Sequence, residues 1–372
     1  MKKILCIITM LCCALSMSAQ DKKFWVYLCI GQSNMAGMGV IEKEDSVIPE
    51  NLVSLSAVDG NDGRKVGQWR KALPPIVRAD SHLSLLGSFG KTVLEHTKGS
   101  CDKVGLVAVA VEGCPIIAFD KDRYHEYADT LTQDWSRNIM KQYDFNPYQR
   151  LITLAKQAQR DGIIKGILLH QGETDAYSPT WNKEVRKIYY DILNDLQLDS
   201  TRVPLLVGEV GAEEYHGNCS LANKTISQMH NVLQHSYVVS SAGCPLSDDH
   251  THFSNVGYRK LGKNYGVKMI MAMGLPFVES KHEVVTTTTA VTPAETVEVK
   301  VQISNKGMLY AQANHPLYKI IVLDGNDKEL DTITLAASDL NATVDLNKYP
   351  EGKLTMVFYA TNGADQSFTI NN

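Results

Sequence analysis

The chain has 372 residues, of which 44% are hydrophobic, and its 37 basic and 41 acidic residues give a formal net charge of −4. Because one hydrophobic core rarely organises a chain of this length, we expect one large and one small domain. The opposite charges are interspersed, so the composition offers no basic field that would attract nucleic acid. This near balance of charges is more compatible with a partner or substrate that carries no strong charge.

Residues 1–19 have the layout of an export signal. Lys2 and Lys3 precede an apolar run, and small residues stand just before Gln20, as in secretory signal peptides. The run is too short to span a bilayer, and no later segment has the length and apolarity of a membrane span. We therefore predict a secreted or periplasmic protein. A lipoprotein is the alternative, although neither Cys12 nor Cys13 follows the small residue expected before a lipidated cysteine.

Five cysteines remain after this segment, and none belongs to a C-x-x-C pair: Cys29, Cys101, Cys114, Cys219 and Cys244. An odd, widely spaced set is typical neither of a zinc site nor of a disulfide framework. One bridge is possible, and we single out Cys219 with Cys244 as the pair to test. The others are expected to be small buried residues.

Short β-branched runs alternate with segments of helical period through most of the chain. The strand-like runs are Phe24–Ile30, Val104–Val111, Ile163–Leu169, Val203–Val210 and Tyr237–Ser241. The clearest helical stripe follows Trp181, and a second follows Pro147. Apolar strands between amphipathic helices predict an α/β fold with a mostly parallel sheet covered on both faces. Active sites of such sheets lie at the carboxyl ends of the strands.

The pattern changes after Pro276. Only short strand-like runs follow, with Asp324-Gly325 as a turn signal. We therefore predict a large domain over residues 22–276, a linker over residues 277–283 and a small all-β sandwich of immunoglobulin-like size over residues 284–372.

The segment LCIGQSNMAG places Ser33 just past the first predicted strand, where a helix should begin. A hydroxyl there would project into the crevice at the strand ends, beside backbone N–H groups of the turn, which suits a nucleophile with an oxyanion donor. Gln32 and Asn34 flank it as candidate supporting residues. In the alternative interpretation, Ser33 or Asn34 caps the helix and Gly31 only makes the turn.

A serine nucleophile needs a base, and the base needs an orienting carboxylate. Asp249 and His252 stand at D-x-x-H spacing in a loop after the last predicted strand, which would bring both to the same crevice. Two alternatives stay open. The cluster Asp248, Asp249, His250 and His252 could bind a metal, or the loop could be a polar helix cap.

Further polar or flexible positions follow two other predicted strands. Gly113, in VAVEGCPI, follows the second strand, where a backbone N–H could reach a substrate oxygen. Gln171 and Glu173, in LLHQGETDA, follow the third strand and could donate to an oxyanion and hold neighbouring loops. Taken alone, Gly113 could simply make a turn, and Gln171 and Glu173 could simply lie on the polar surface. Together they favour a site at this edge of the sheet.

Three segments, GQSNMAG, HQGETDA and DDHTHFSNVGYRKLG, resemble in order and spacing the carbohydrate acetylesterases of the SGNH hydrolase superfamily. The similar groups are the sialate O-acetylesterase-like proteins and carbohydrate esterase family six, with its acetyl xylan esterases. The resemblance covers roughly residues 24–275 and implies a three-layer α/β/α fold with a flavodoxin-like parallel sheet. The segment VEGCP departs from the family, which more often has two glycines and a small polar residue there.

The resemblance implies a role for each matching residue. Ser33 would be the nucleophile, His252 its base and Asp249 the carboxylate behind the base. The backbone N–H groups of Ser33 and Gly113 and the side chain of Gln171 would form the oxyanion hole. The implied reaction removes an acetyl group from a sugar through an acetyl-enzyme and needs neither a metal nor an organic cofactor.

The segment between Gly113 and Pro147 carries several aromatic residues, whose faces stack well on sugar rings. We expect substrate contacts from Tyr124, Tyr127, Trp135 and Arg123, although the aromatic residues could instead form a small core under a long loop.

For the substrate, the sequence context of residues 67–75 and 146–151 is closer to family six and predicts acetylated xylan. Acetylated sialic acid is the alternative, with Arg123 or Arg78 facing its carboxylate. A carbohydrate-binding protein with a relic hydrolase site is the non-enzyme alternative, and the sequence does not predict an oligomeric state.

Overall fold

The computed structural model describes residues 20–275, 297–304, 307–326, 328–361 and 365–372. The chain divides into two compact units, Met1–Lys281 and His282–Asn372. The predicted export signal, residues 1–19, and the predicted linker, residues 277–283, lie outside the described residues. No helix within these ranges is both long and apolar enough to cross a membrane.

The first unit is built on a seven-stranded sheet in the order β3-β2-β4-β1-β5-β6-β7. All neighbouring strands are parallel except β2 and β3. The strands are β1 (Asp21–Gly31), β2 (Leu52–Leu55), β3 (Trp69–Lys71), β4 (Lys103–Ala110), β5 (Gly162–His170), β6 (Leu205–Gly208) and β7 (Ser236–Val239). This confirms the mostly parallel α/β sheet. The sequence analysis missed β2 and β3, which have only four and three residues.

The five predicted strands follow the flavodoxin-like order 2-1-3-4-5, with β2 and β3 added beyond β4. In this order β1 lies between β4 and β5, so the connections on its two sides run in opposite directions along the sheet. Ligands bind at such a topological switch point. The register aligns the last residue of β1, Gly31, with Ala110 of β4 and His170 of β5. The carboxyl ends of the three central strands therefore meet at one edge of the sheet.

Helices cover both faces of this sheet. They are α1 (Ser33–Ala36), α2 (Leu86–His96), α3 (Tyr124–Ala128), α4 (Asp134–Gln142), α5 (Pro147–Asp161), α6 (Trp181–Leu196), α7 (Ala222–Ile226) and α8 (Asn255–Ala272). Alternate residues of β1 enter two separate cores: Val26 and Leu28 pack with α5 and α6, whereas Tyr27 and Cys29 pack with α2 and α8. This alternation is the reason that β1 is apolar from Phe24 to Ile30.

The stripe predicted after Trp181 is buried in α6, as expected. The helix predicted after Pro147 is α5, whose first turn is capped by Asn146, with the side-chain oxygen accepting from the N–H of Gln149 at 2.9 Å. The aromatic segment between Gly113 and Pro147 contains α3 and α4.

The described residues of the second unit form an antiparallel five-stranded sheet. Its strands are β8 (Val299–Ile303), β9 (Met308–Leu323), β10 (Glu329–Asp345), β11 (Lys353–Ala360) and β12 (Asp365–Asn371). The long strand β9 pairs with β8 over its first half and with β11 over its second half. Thus an all-β unit is confirmed, but its described strands are connected in one sheet rather than in two separate ones. The turn predicted at Asp324 is present, with its carboxylate accepting from the N–H groups of Asn326 and Lys328.

The five cysteines that follow residue 19 are all free thiols. Cys219 and Cys244, the pair singled out for a bridge, are not bonded to each other. Cys219 is half-buried, and the other four are buried, which agrees with their expected role as small packing residues.

Candidate active site

The first part of the site is the sharp turn between β1 and α1. Gly31 ends the strand where a side chain has no room, because a Cβ there would lie 2.0 Å from the carbonyl oxygen of His170. The N–H of Gln32 donates to the same carbonyl at 3.1 Å. Ser33 then begins α1, so its own N–H has no acceptor within the helix. The turn places a nearly buried hydroxyl, 6% exposed, at the carboxyl edge of the sheet.

Ser33, His252 and Asp249 form a continuous hydrogen-bonded chain. The Ser33 Oγ lies 2.9 Å from Nε2 of His252, and Nδ1 of His252 lies 2.6 Å from Oδ2 of Asp249. Because the carboxylate only accepts, Nδ1 carries the proton and Nε2 is left to accept from the serine hydroxyl. The structure thus brings Ser33 together with the D-x-x-H pair, whose histidine is 219 residues away in the chain.

The carboxylate of Asp249 is held by its own loop. Its Oδ1 accepts from the N–H of His252 at 2.9 Å, the N–H of Thr251 at 2.9 Å and the hydroxyl of Ser247 at 2.8 Å. Burial opposes ionisation of this carboxyl, but the hydrogen bonds from His252, Thr251 and Ser247 outweigh it and hold the pKa of Asp249 well below its usual range. The side chain therefore stays a carboxylate and fixes the tautomer of His252.

The geometry does not favour the alternative metal site in this loop. Asp249 and His252 are bonded to each other, and His250 turns its Nδ1 toward the carbonyl oxygen of Tyr215 at 3.2 Å. Over the part of the chain that the structure describes, the close grouping of potential ligands lies elsewhere, at Asp120, Asp122 and Asp191. The ammonium of Lys187 lies 2.7–2.8 Å from carboxylate oxygens of all three.

Asn34 joins the serine turn to the histidine loop. Its Nδ2 donates to Oε1 of Glu173 at 2.6 Å and to the carbonyl of Thr251 at 3.0 Å. Its Oδ1 accepts from the N–H of Phe253 at 3.2 Å and from the hydroxyl of Tyr258 at 2.7 Å. Thr251 and Phe253 are the two neighbours of the base in the chain. Asn34 therefore holds the base in place from both sides.

Glu173 lies beneath this contact. The residue is 8% exposed, and burial raises the pKa of its carboxyl, against the hydrogen bond from Asn34. His170 is fully buried nearby, with its Nε2 3.9 Å from Oε1 of Glu173. Burial lowers the pKa of His170 to about 3. Its imidazole is therefore neutral, and its Nδ1 lies 3.1 Å from the hydroxyl of Tyr265.

The structure contradicts the predicted oxyanion role of the Gln171 side chain. Gln171 is 0% exposed, and its Oε1 accepts from the indole N–H of Trp181 at 2.5 Å. Its Nε2 lies 2.5 Å from Oδ2 of Asp175, 3.1 Å from Oε1 of Gln32 and 3.3 Å from the carbonyl of Cys114. An amide nitrogen has two protons, and these acceptors occupy both. Gln171 therefore holds neighbouring residues of the site in place, and its amide is not free to donate to a substrate.

Two backbone N–H groups at the site, those of Ser33 and Gly113, have no hydrogen-bond acceptor among the described residues. Gly113 has a φ of +66°, a conformation that favours glycine. Neither its N–H nor that of Ser33 donates to any acceptor among the described residues. Both are therefore open to an incoming acceptor, and their role as oxyanion donors stays a prediction.

The sequence analysis did not predict which residues support the Gly113 turn, and it named Arg78 only as a cation for a sialate carboxylate. Arg78 is 2% exposed; it pairs with Glu112, and its Nη1 donates to the carbonyl of Ala110 at 3.1 Å. Asp175 accepts from the N–H of Ile116 at 2.8 Å. Asp175 could have been noticed, since it follows Glu173 by two residues. Nothing in the sequence pairs Arg78 with Glu112.

Of the predicted substrate-binding residues, the structure places Trp135 against the site. A Cβ on Gly113 would lie 3.1 Å from the Trp135 ring, whose residue is 50% exposed. Tyr124 and Tyr127 are half-buried and pack on the core, as the alternative interpretation expects. Arg123 is half-buried and pairs with Glu126 at 2.9 Å.

Comparison with known proteins gives a family match. The model of a family described as "Carbohydrate esterase, sialic acid-specific acetylesterase" matches residues 23–271. The chain is 19% identical to a protein from Arabidopsis thaliana, with 66% of this chain and 98% of that chain covered and a TM-score of 0.49. It is 14% identical to NanS, with 68% and 98% covered and a TM-score of 0.49. It is also 14% identical to a carbohydrate acetylesterase from Xanthomonas citri, with 93% and 78% covered and a TM-score of 0.46.

Proposed function

The chain belongs to the carbohydrate esterase family of sialic acid-specific acetylesterases, and we propose that it removes O-acetyl groups from carbohydrate with Ser33 as the nucleophile. The observation that carries this proposal is the hydrogen-bonded chain from Ser33 through His252 to Asp249. A relic site in a carbohydrate-binding protein has no need to keep these three groups within bonding distance. The geometry therefore favours catalysis over binding alone.

In the first half of the reaction, Nε2 of His252 takes the hydroxyl proton as Oγ of Ser33 attacks the acetyl carbonyl carbon. The carbonyl oxygen gains negative charge beside the open N–H groups of Ser33 and Gly113. The ionised Asp249 stabilises the imidazolium. Collapse of the tetrahedral intermediate breaks the ester C–O bond, and the imidazolium protonates the departing sugar oxygen.

In the second half, water repeats these steps on the acetyl-enzyme. His252 takes a proton from the water as its oxygen attacks the acetyl carbon, and the same donors hold the oxyanion. The intermediate then releases acetate, and the proton returns from the imidazolium to Oγ of Ser33. This mechanism asks for no metal or organic cofactor.

For the substrate, we propose acetylated xylo-oligosaccharides in preference to acetylated sialic acid. The cation that a sialate carboxylate would need is not offered by Arg78, which is buried against Glu112. Arg123 is already paired with Glu126, and its Nη1 lies 3.6 Å from a carboxylate oxygen of Glu184. A neutral sugar has no carboxylate and therefore needs no cation in the site. Export to the periplasm or the medium, predicted from residues 1–19, would bring the enzyme to polymeric substrates.

The test compares Ser33→Ala with the wild type on an aryl acetate and on both acetylated sugars, with acetate release as the measurement. We expect the variant to fold and to lose on the order of three or more decades in turnover, as other enzymes do on loss of a triad member. Retention of more than about a tenth of wild-type turnover would require another nucleophile. Wild-type activity that is lost on chelation and restored by zinc would favour the metal alternative.

A further inference from the structure

The side chain of Gln32 has a donor that the mechanism above does not use. Gln32 is 3% exposed, immediately precedes Ser33 and is the N-cap residue of α1. Its Oε1 accepts from Nε2 of Gln171 at 3.1 Å and from the N–H of Thr174 at 3.3 Å. A backbone N–H can only donate, so the contact with Thr174 fixes which end of the carboxamide is oxygen.

The orientation of Gln32 is set by a chain of amides beneath it. The indole N–H of Trp181 can only donate, which fixes Oε1 of Gln171 as its acceptor. The Nε2 of Gln171 must then face Asp175 and Gln32. This arrangement leaves the Nε2 of Gln32 directed away from both Gln171 and Thr174.

The Nε2 of Gln32 has no acceptor within hydrogen-bond distance among the residues that the structure describes. This nitrogen atom is not fully enclosed by protein, so it keeps contact with solvent although the residue is nearly buried. A carboxamide that is held at its oxygen end and open at its nitrogen end can donate to an acceptor that enters the site. Gln32 immediately precedes Ser33 in the chain, and Gln171, which holds its Oε1, also contacts the carbonyl of Cys114, the residue after Gly113.

We propose that Gln32 donates its carboxamide N–H to the oxyanion of the acetyl group, as the side-chain member of the oxyanion hole. The role rests on the proposed function, because it requires Ser33 to attack an acyl carbon. Gln171 then acts as a positioning residue, which orients Gln32 by its own N–H. Together with the backbone N–H groups of Ser33 and Gly113, the site would offer the oxyanion three donors.

The test uses two variants of the full chain and one control. Gln32→Glu keeps the oxygen that accepts from Gln171 and Thr174 but has no amide donor, whereas Gln32→Met has a similar length and neither function. Gln149→Met removes an exposed glutamine side chain from α5 and serves as the control. Loss of one oxyanion donor lowers kcat by about two to three decades. We expect that loss in both Gln32 variants with KM nearly unchanged, and wild-type kinetics in the control.

The choice of substrates separates the possible roles. An oxyanion donor acts on the acetyl group, so the loss should be the same for an aryl acetate and for an acetylated sugar. A loss confined to the sugar substrate would show that Gln32 contacts the sugar and would overturn the proposal. Full activity in Gln32→Glu with loss in Gln32→Met would also overturn it, since only the acceptor contacts would then matter.

Ser33→Ala distinguishes failure of this proposal from failure of the proposed function. If Ser33→Ala is inactive while Gln32→Glu keeps full activity, only the assignment of Gln32 fails. If Ser33→Ala keeps wild-type activity, the serine mechanism fails and the assignment of Gln32 fails with it.

Discussion

At the scale of single residues, the site depends on side chains that position the reacting groups. Asn34 uses all of its hydrogen-bonding capacity on Glu173, Tyr258 and the two neighbours of His252. These contacts set the distance between the base and the serine hydroxyl without touching either. A shift of about 1 Å in a reacting group can cost as much as two decades in rate.

We therefore predict that Asn34→Ala lowers kcat for an aryl acetate by about one to two decades, because the His252 loop loses its anchor. The loss of a buried hydrogen-bonded group should also lower the free energy of unfolding by about 1–3 kcal/mol. Steady-state kinetics and urea denaturation measure the two effects. Wild-type kcat in a folded Asn34→Ala protein would show that the loop holds the base without this contact.

The buried imidazole of His170 makes stability depend on pH. Burial lowers its pKa to about 3 in the folded protein, whereas a histidine in an unfolded chain has a pKa of about 6.5. Between these values the unfolded state binds a proton that the folded state does not. We therefore predict that His170 lowers the free energy of unfolding as the pH falls from about 6.5 to about 3.

The measurement is urea denaturation across this pH range. Glu173 acts in the opposite direction because burial raises the pKa of its carboxyl, so the difference between variants matters more than the wild-type slope. His170→Gln should have a flatter pH dependence than the wild type, and His230→Gln, at an exposed position, should not. Equal slopes in the wild type and His170→Gln would contradict the prediction.

At the scale of elements, the sequence predicted what depends on local pattern. The five predicted strands are mostly apolar, and the stripe of α6 recurs at helical spacing, so both could be predicted from the residues alone. The strands β2 and β3 are too short to give such a pattern. The turn motifs placed Ser33, Gly113 and the D-x-x-H pair at one sheet edge because parallel strands share their carboxyl ends.

The direction of a buried polar side chain could not be predicted in the same way. Gln171 stands at a strand end, where an oxyanion donor was expected, but the indole of Trp181 and the carboxylate of Asp175 turn its amide inward. The contact with Trp181 is set by how α6 packs on the sheet. Sequence spacing does not encode that packing.

The turn after β4 offers a prediction at this scale. The buried Arg78 and the half-buried Glu112 form an ion pair that joins the segment before α2 to the turn of Gly113. Arg78→Met should lower the free energy of unfolding by about 3–5 kcal/mol, because it leaves the Glu112 carboxylate buried without its partner. It should also lower activity, since the N–H of Gly113 is held by this turn. Urea denaturation and aryl acetate turnover measure both.

A double variant distinguishes the effect of Arg78 on the stability of the protein from its effect on the position of Gly113. Arg78→Met with Glu112→Leu removes both charges, so part of the lost stability should return. Activity should stay low if the ion pair positions Gly113. An Arg78→Met protein as stable as the wild type would show that Glu112 finds another partner.

At the scale of the whole molecule, each of the two units has its own hydrophobic core. The first contains two cores, one on either face of the parallel sheet. The second buries Leu309, Ile320, Val322, Met356 and Phe358 among its own strands. Every residue assigned to the reaction lies before α8 ends. A unit with its own core can in principle fold alone.

We therefore predict that a chain ending at Glu279 folds cooperatively and hydrolyses an aryl acetate at a kcat/KM within about threefold of the full chain, because both cores and all proposed catalytic groups are retained. The matched control is residues 284–372 expressed alone, which should fold on the third core and show no esterase activity. Circular dichroism, thermal unfolding and acetate release measure these properties. Loss of solubility or of aryl acetate turnover in the shortened chain would mean that the second unit completes the core or the site of the first. If the shortened chain keeps its turnover of aryl acetates but loses turnover of polymeric xylan, the second unit would instead contribute to the handling of long substrates, since the chemistry of Ser33 would be intact.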